Sequence, residues 1–194
     1  MVLRFNLAAG NKKSNKFFIE WFLMPELISS NYSKETFPEL LTLSFGMTKT
    51  EVKIIYQKKG LRPLLERADR LDFISPPVDV PQAAEINLIF KDDWLVAIYQ
   101  YFEVVKDDAS AFEHIAKYRD LKDQLVAKYG LPEALEFMDD KFNNSKSRLK
   151  GFKLKKGNYA SIWRNINGMD VFLVLGGDGL DTLIRLTYKL RSDS

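Results

Sequence analysis

Apolar and polar positions follow two rhythms along this chain, and each rhythm occurs in both halves. From Thr48, the residues Val52, Ile55 and Tyr56 recur at helical spacing, and Gly60 stands where a left-handed cap can end a helix. Thr48-Lys49-Thr50-Glu51 opens that stretch as a capping box, in which Thr and Glu satisfy each other's free backbone donors. The pattern predicts a short amphipathic helix over 48–59. A second helix is predicted over 110–129. Ser110 and Glu113 repeat the capping spacing, and Asp107 and Asp108 suit the positive end of the helix dipole. Phe112, Ile115, Tyr118, Leu121, Leu125 and Tyr129 fall in one arc, with Glu113, Lys117, Asp120 and Gln124 opposite. Gly130 and Pro132 stop this helix, and residues 132–142 read as a further helical turn or two.

The second rhythm has period two. Residues 71–75 read as a strand. Residues 84–90 and 94–104, rich in β-branched and aromatic side chains, flank the short polar Lys91-Asp92-Asp93 and predict a hairpin. Residues 159–165 and 169–175 flank Asn167-Gly168, a strong hairpin signal. Gly176-Gly177-Asp178-Gly179 turns the chain into 180–190, where Leu180, Thr182, Ile184, Leu186, Tyr188 and Leu190 share one face. Phe152 and Leu154 alternate with Lys153 and Lys155, as in an outer strand guarded by lysines. Between the first strand and the first hairpin, Pro76-Pro77-Val78-Asp79-Val80-Pro81 predicts a stiff exposed loop.

The halves echo each other. Gly60-Leu61 after the first helix matches Gly130-Leu131 after the second at an offset of 70 residues. Trp94, Ala97 and Ile98 match Leu180, Leu183 and Ile184 at an offset of 86, so the second copy is longer in its connection around 137–157. The expected fold is α+β: two tandem helix-plus-antiparallel-sheet repeats, residues 41–106 and 107–194, merged into one compact body. Residues 1–40 are a leader or an appended helical segment. There Lys12, Lys13 and Lys16 precede the apolar run 17–28, which is the order of a secretory signal, yet Glu20 and Glu26 interrupt it. An export signal and a structural amphipathic helix both remain open. The expected location is accordingly the cytoplasm or, after export, the periplasm or the medium. No apolar run approaches the roughly 18 residues of a membrane helix.

Phe45-Gly46-Met47-Thr48-Lys49-Thr50-Glu51-Val52 resembles the signature that opens the helical part of the small outer-membrane-assembly lipoprotein fold. The tandem plan is similar to the β-lactamase inhibitor protein fold. The resemblance implies a helix followed by antiparallel strands, and an interaction role in or outside the bacterial envelope. The chain departs from these families in lacking both the lipid-attachment cysteine and the disulfides.

Composition narrows the chemistry. With 46% apolar residues, 14 Phe, 8 Tyr and 3 Trp, the chain can build a substantial core. Its 29 basic and 26 acidic residues leave a net charge of +3, which argues against a dedicated nucleic-acid binder. No Cys is present, which excludes disulfides, thiolate zinc sites and cysteine nucleophiles. His114 is the single histidine, which excludes multi-histidine metal sites, and its place at the edge of an apolar arc reads as structural. No metal or cofactor is expected. Asp92-Asp93, Asp107-Asp108 and Asp139-Asp140 sit at turns or helix ends, where aspartate serves the local backbone. Gly176 to Gly179 precedes a strand rather than a helix, so it reads as a β-turn and not a phosphate loop.

Two features could carry binding. Trp94, Tyr99, Tyr101 and Trp163 lie on predicted strands, where aromatics either fill a core or anchor a partner on an open sheet. Lys141, Lys146, Arg148, Lys150, Lys153, Lys155 and Lys156, interleaved with Phe142 and Phe152, form a basic stretch without an acidic residue. It reads as a solvated loop or as a site for nucleic acid or anionic lipid. The function expected first is a non-enzymatic protein-interaction or ligand-binding module, touching another protein through an open sheet face and the loops at Pro76-Pro77 and Gly176-Gly177. Behind it stand a cytoplasmic protein that binds nucleic acid or an anionic surface through 141–156, and a hydrolase with a carboxylate site assembled by folding.

Overall fold

Thr48 does cap a helix. Its hydroxyl accepts the Glu51 N–H at 3.2 Å while the Glu51 carboxylate accepts the Thr48 N–H at 2.8 Å, so two otherwise free donors are satisfied. The helix, α1, runs Lys49–Lys58 and buries Val52 and Tyr56. The computed structural model describes residues 43–74, 83–104 and 108–191. The N-terminal segment 1–40 and the proline loop 76–81 therefore lie outside the described residues.

After α1 come β1 (Leu65–Arg67), β2 (Arg70–Ile74), β3 (Ala83–Lys91) and β4 (Trp94–Phe102). Helix α2 (Phe112–Tyr129) follows, then β5 (Glu133–Met138), a 3₁₀ turn (Asp140–Phe142) and α3 (Arg148–Lys153). Strands β6 (Gly157–Ile166), β7 (Met169–Gly177) and β8 (Thr182–Leu190) complete the described chain. The fold is α+β, and the strands form one antiparallel sheet of eight in the order β1-β2-β3-β4-β8-β7-β6-β5. Helix α1 precedes a four-stranded meander and α2 precedes another. The two meanders meet edge to edge where β4 pairs β8, from Ala97 opposite Lys189 to Phe102 opposite Ile184.

The hairpins form where the turn chemistry places them. Asp92 and Asp93 both take positive φ, 50° and 68°, between β3 and β4. Asn167 and Gly168 take 49° and 79° between β6 and β7. Such paired left-handed residues match the twist of the flanking strands. Three expectations need correction. Residues 133–138 are strand β5, paired with β6 from Glu133 opposite Ile162 to Met138 opposite Gly157, and not a helical extension. Residues 152–155 are no guarded outer strand, because 148–153 is helix α3, which buries Leu149 and Phe152 three residues apart. Ser110 does not form a capping box: the helix starts at Phe112, and Ser110 instead hydrogen-bonds the Asp108 carboxylate through its N–H and hydroxyl.

The three helices of the described residues lie on one face of the sheet. Tyr56 of α1 packs edge-on against Phe73 of β2, with ring centroids 4.5 Å apart. The Tyr118 hydroxyl of α2 reaches the Ser161 hydroxyl of β6 at 2.8 Å. Phe152 of α3 packs edge-on against Tyr159 of β6 at 5.3 Å. A single buried cluster runs from Val52 and Tyr56 through Leu88, Ile98 and Ile184 to Tyr118 and Leu173, so both meanders share one core. The backbone of α3 sits so close to β7 that a Cβ on Gly177 would stand 2.2 Å from the Phe152 carbonyl oxygen.

Candidate functional site

The register of the strands fixes what the other face carries. Leu71 and Phe73 pair with Leu88 and Ile86, and these point to the helices, as do Ile98, Leu186 and Tyr188. The intervening residues belong to the helix-free face. They are Arg70 and Asp72 on β2, Glu85 and Asn87 on β3, Tyr99 and Tyr101 on β4, and Arg185 and Thr187 on β8. No helix among the described residues packs on this side.

Tyr99 stands in the middle. Asn87 lies opposite it on β3 and Thr187 opposite it on β8. The Arg185 guanidinium lies 5.4 Å from the centre of its ring, a cation–π arrangement that holds the arginine over the sheet. Burial raises the phenol pKa of Tyr99 above its usual value, against the opposing pull of Arg185. Arg185 itself has no carboxylate partner among the described residues, and its buried Nε–H finds no acceptor there. The Asn87 side chain donates to Glu85 at 2.6 Å, while its buried Oδ1 receives no hydrogen bond among the described residues. Tyr101 lies opposite Glu85 on one side and Arg185 on the other. Arg70, by contrast, is engaged. Its Nε donates to Asp72, whose hydrogen bond raises the guanidinium pKa further, and its Nη2 stands 3.8 Å from Glu85. Of these two arginines, Arg70 is neutralised by carboxylates, while Arg185 lies against an aromatic ring with no anion beside it among the described residues.

Of the four aromatic candidates, the structure brings Tyr99 and Tyr101 together on this face. Trp94 begins β4 at the β3–β4 turn, 40% exposed and about 17 Å along the strand from Tyr99. Trp163 belongs to the core: it is 2% exposed, and its indole N–H donates to the Gly130 carbonyl at 2.7 Å. The basic stretch surrounds the 3₁₀ turn and α3. Lys141, Lys146, Lys150, Lys155 and Lys156 are exposed, while Arg148 and Lys153 are half-buried. Arg148 donates to the Asn143 side chain at 3.1 Å, and the Lys141 ammonium lies 5.9 Å from the Phe142 ring centre.

His114 is buried on α2. The aspartates at the turns serve the backbone. Asp178 accepts the N–H groups of Leu180 and Asp181, both at 2.8 Å, which lowers its pKa. Asp139 accepts the Lys141 N–H at 3.0 Å. Among the described residues no group of three or more His, Asp or Glu could hold a metal ion, and no helix there is long and apolar enough to cross a membrane. No protein-family model matches the chain, and no curated protein or solved structure matches it.

Proposed function

We propose that the chain is a non-enzymatic protein-interaction module whose contact surface is the half-buried patch of Arg185, Tyr99 and Tyr101 on the helix-free sheet face, with Arg185 and Tyr99 receiving an acidic side chain of the partner. The observation that carries this reading is the Arg185 guanidinium, stacked on Tyr99 and lacking an anion among the described residues. A half-desolvated cation is poorly compensated by a ring alone, and a partner carboxylate would complete its hydrogen bonds. Tyr99 and Tyr101 supply rigid amphipathic area beside it, the residue type that anchors protein interfaces. The order helix then four-stranded meander, met twice, supports reading 41–106 and 107–194 as copies of one unit. It also supports the resemblance to the lipoprotein and inhibitor folds, and with it an envelope or secreted role.

The test is capture of partners by the immobilised full chain, compared across variants. Arg185→Glu and Tyr99→Ala should lose a protein that wild type and Lys58→Glu, altered at an exposed position of α1, both retain. Capture that survives Arg185→Glu sinks the reading. A second reading rests on the five exposed lysines gathered on the excursion 139–156. There the chain would bind nucleic acid or an anionic surface. Affinity for a single-stranded oligonucleotide should then fall steeply with salt; a flat salt response removes this alternative.

A further inference from the structure

The two ends of the sheet are finished differently. The β1 edge has three residues, and α1 dresses it with lysines: Lys53 pairs with Glu66 at 2.9 Å, and the Lys49 ammonium donates to the carbonyls of Arg67 and Ala68 at 3.0 and 2.7 Å. Short length and lysines are the usual protections of an exposed edge. The β5 edge has neither protection. It is six residues long, Glu133-Ala134-Leu135-Glu136-Phe137-Met138, without Lys or Pro, and no strand among the described residues pairs with its outer side. Leu135 is 45% exposed, Phe137 54% and nearby Leu131 89%. The register with β6 puts Leu135 and Phe137 on the helix-free face and Ala134 and Glu136 on the other. A regular, unguarded edge with exposed apolar side chains is a template for another strand.

The charges along β5 indicate which strand fits. Glu133 is already met by Arg164 at 3.5 Å and Glu136 by Lys122 at 2.7 Å. A second copy of β5, antiparallel and centred on Leu135, sets Leu135 against Leu135, Glu133 against Phe137, and Ala134 against Glu136. No like charges face each other, and the exposed leucine is covered at the axis. Centring on Glu136 instead would place two carboxylates directly opposite, which is destabilising. We infer that β5 pairs with β5 of a second copy of this chain about Leu135, joining two sheets edge to edge. Arg185 lies three strands away on β8, so its role and this pairing stand or fall separately.

The absence of cysteine makes the test clean. Directly opposed Cβ atoms in antiparallel strands lie about 4.5–5.5 Å apart, close to what a disulfide spans. Leu135→Cys in the full chain should therefore oxidise to a covalent dimer. Glu133→Cys should not, because its copy would lie four residues away along the strand, about 13 Å. By sedimentation, the wild-type mass should rise with concentration from 22.4 kDa towards twice that value. Leu135→Lys, which brings two lysines together at the axis, should raise the dissociation constant roughly tenfold or more, with an unchanged thermal midpoint of the monomer showing that it still folds. A wild-type chain that stays monomeric at its highest soluble concentration overturns the proposal, as does cross-linking at residue 133 instead of 135. An edge taken by a different protein, or left bare, would give the monomeric result.

Discussion

Trp163 shows why an aromatic on a strand has to be placed before it is given a role. Its indole is inside the core and bonded to the carbonyl of Gly130, the residue that ends α2. Trp163→Ala would leave a large cavity and an unpaired carbonyl. A loss of about 3–5 kcal/mol is expected in urea denaturation. Trp94→Ala, at an exposed position, should cost about 1 kcal/mol or less in the same assay. Tyr118 offers a pH test. Burial raises its phenol pKa from 10.0 to about 12, against the hydrogen bond with Ser161. The folded state therefore keeps its proton at pH values where the unfolded chain loses it. The associated stability is fully present below pH 10 and falls away between about 10 and 12. Tyr118→Phe should flatten that alkaline fall, measured as denaturation midpoint against pH. Gly177 is a packing constraint rather than a flexible joint. Gly177→Ala drives a methyl into the α3 backbone and should destabilise by about 1–3 kcal/mol.

At the scale of the element, local chemistry was legible wherever it decided the outcome. The Thr48 cap, the Asp92-Asp93 and Asn167-Gly168 turns and the stop at Gly130 all act within a few residues. Thr48→Ala should accordingly cost about 1 kcal/mol in the same denaturation experiment. Strand β5 was not legible, because Glu, Ala, Leu and Met favour helix in isolation and only pairing with β6 overrides them. Helix α3 was misread for a related reason. Four alternating residues suggest a strand, and the helical signal, Leu149 with Phe152, needs the residues before them. Half of the candidate site could be found in the sequence. Tyr99 and Tyr101 stand out as aromatics two apart on a strand. Arg185 does not, since nothing local says that it lies opposite Tyr101 from a strand 84 positions later; the partnership depends on the register of β4 with β8.

At the scale of the whole molecule, the sheet divides into two meanders built from near neighbours and one seam built from distant ones. Among the described residues, six of the seven strand pairings join consecutive strands, and β4 with β8 does not. That seam joins residues 82 to 92 positions apart. Loop closure over such a span is the costliest step in the sheet and suits completion late in folding. During synthesis the order has a further effect. Once β4 has left the ribosome, its outer side has no strand to meet until β8 is made. At roughly 5–20 residues per second that interval is on the order of 4–16 s. For those seconds the strand carrying Tyr99 and Tyr101 is the open margin of a half-built sheet. The nascent chain is then at its most exposed to pairing with another copy of itself.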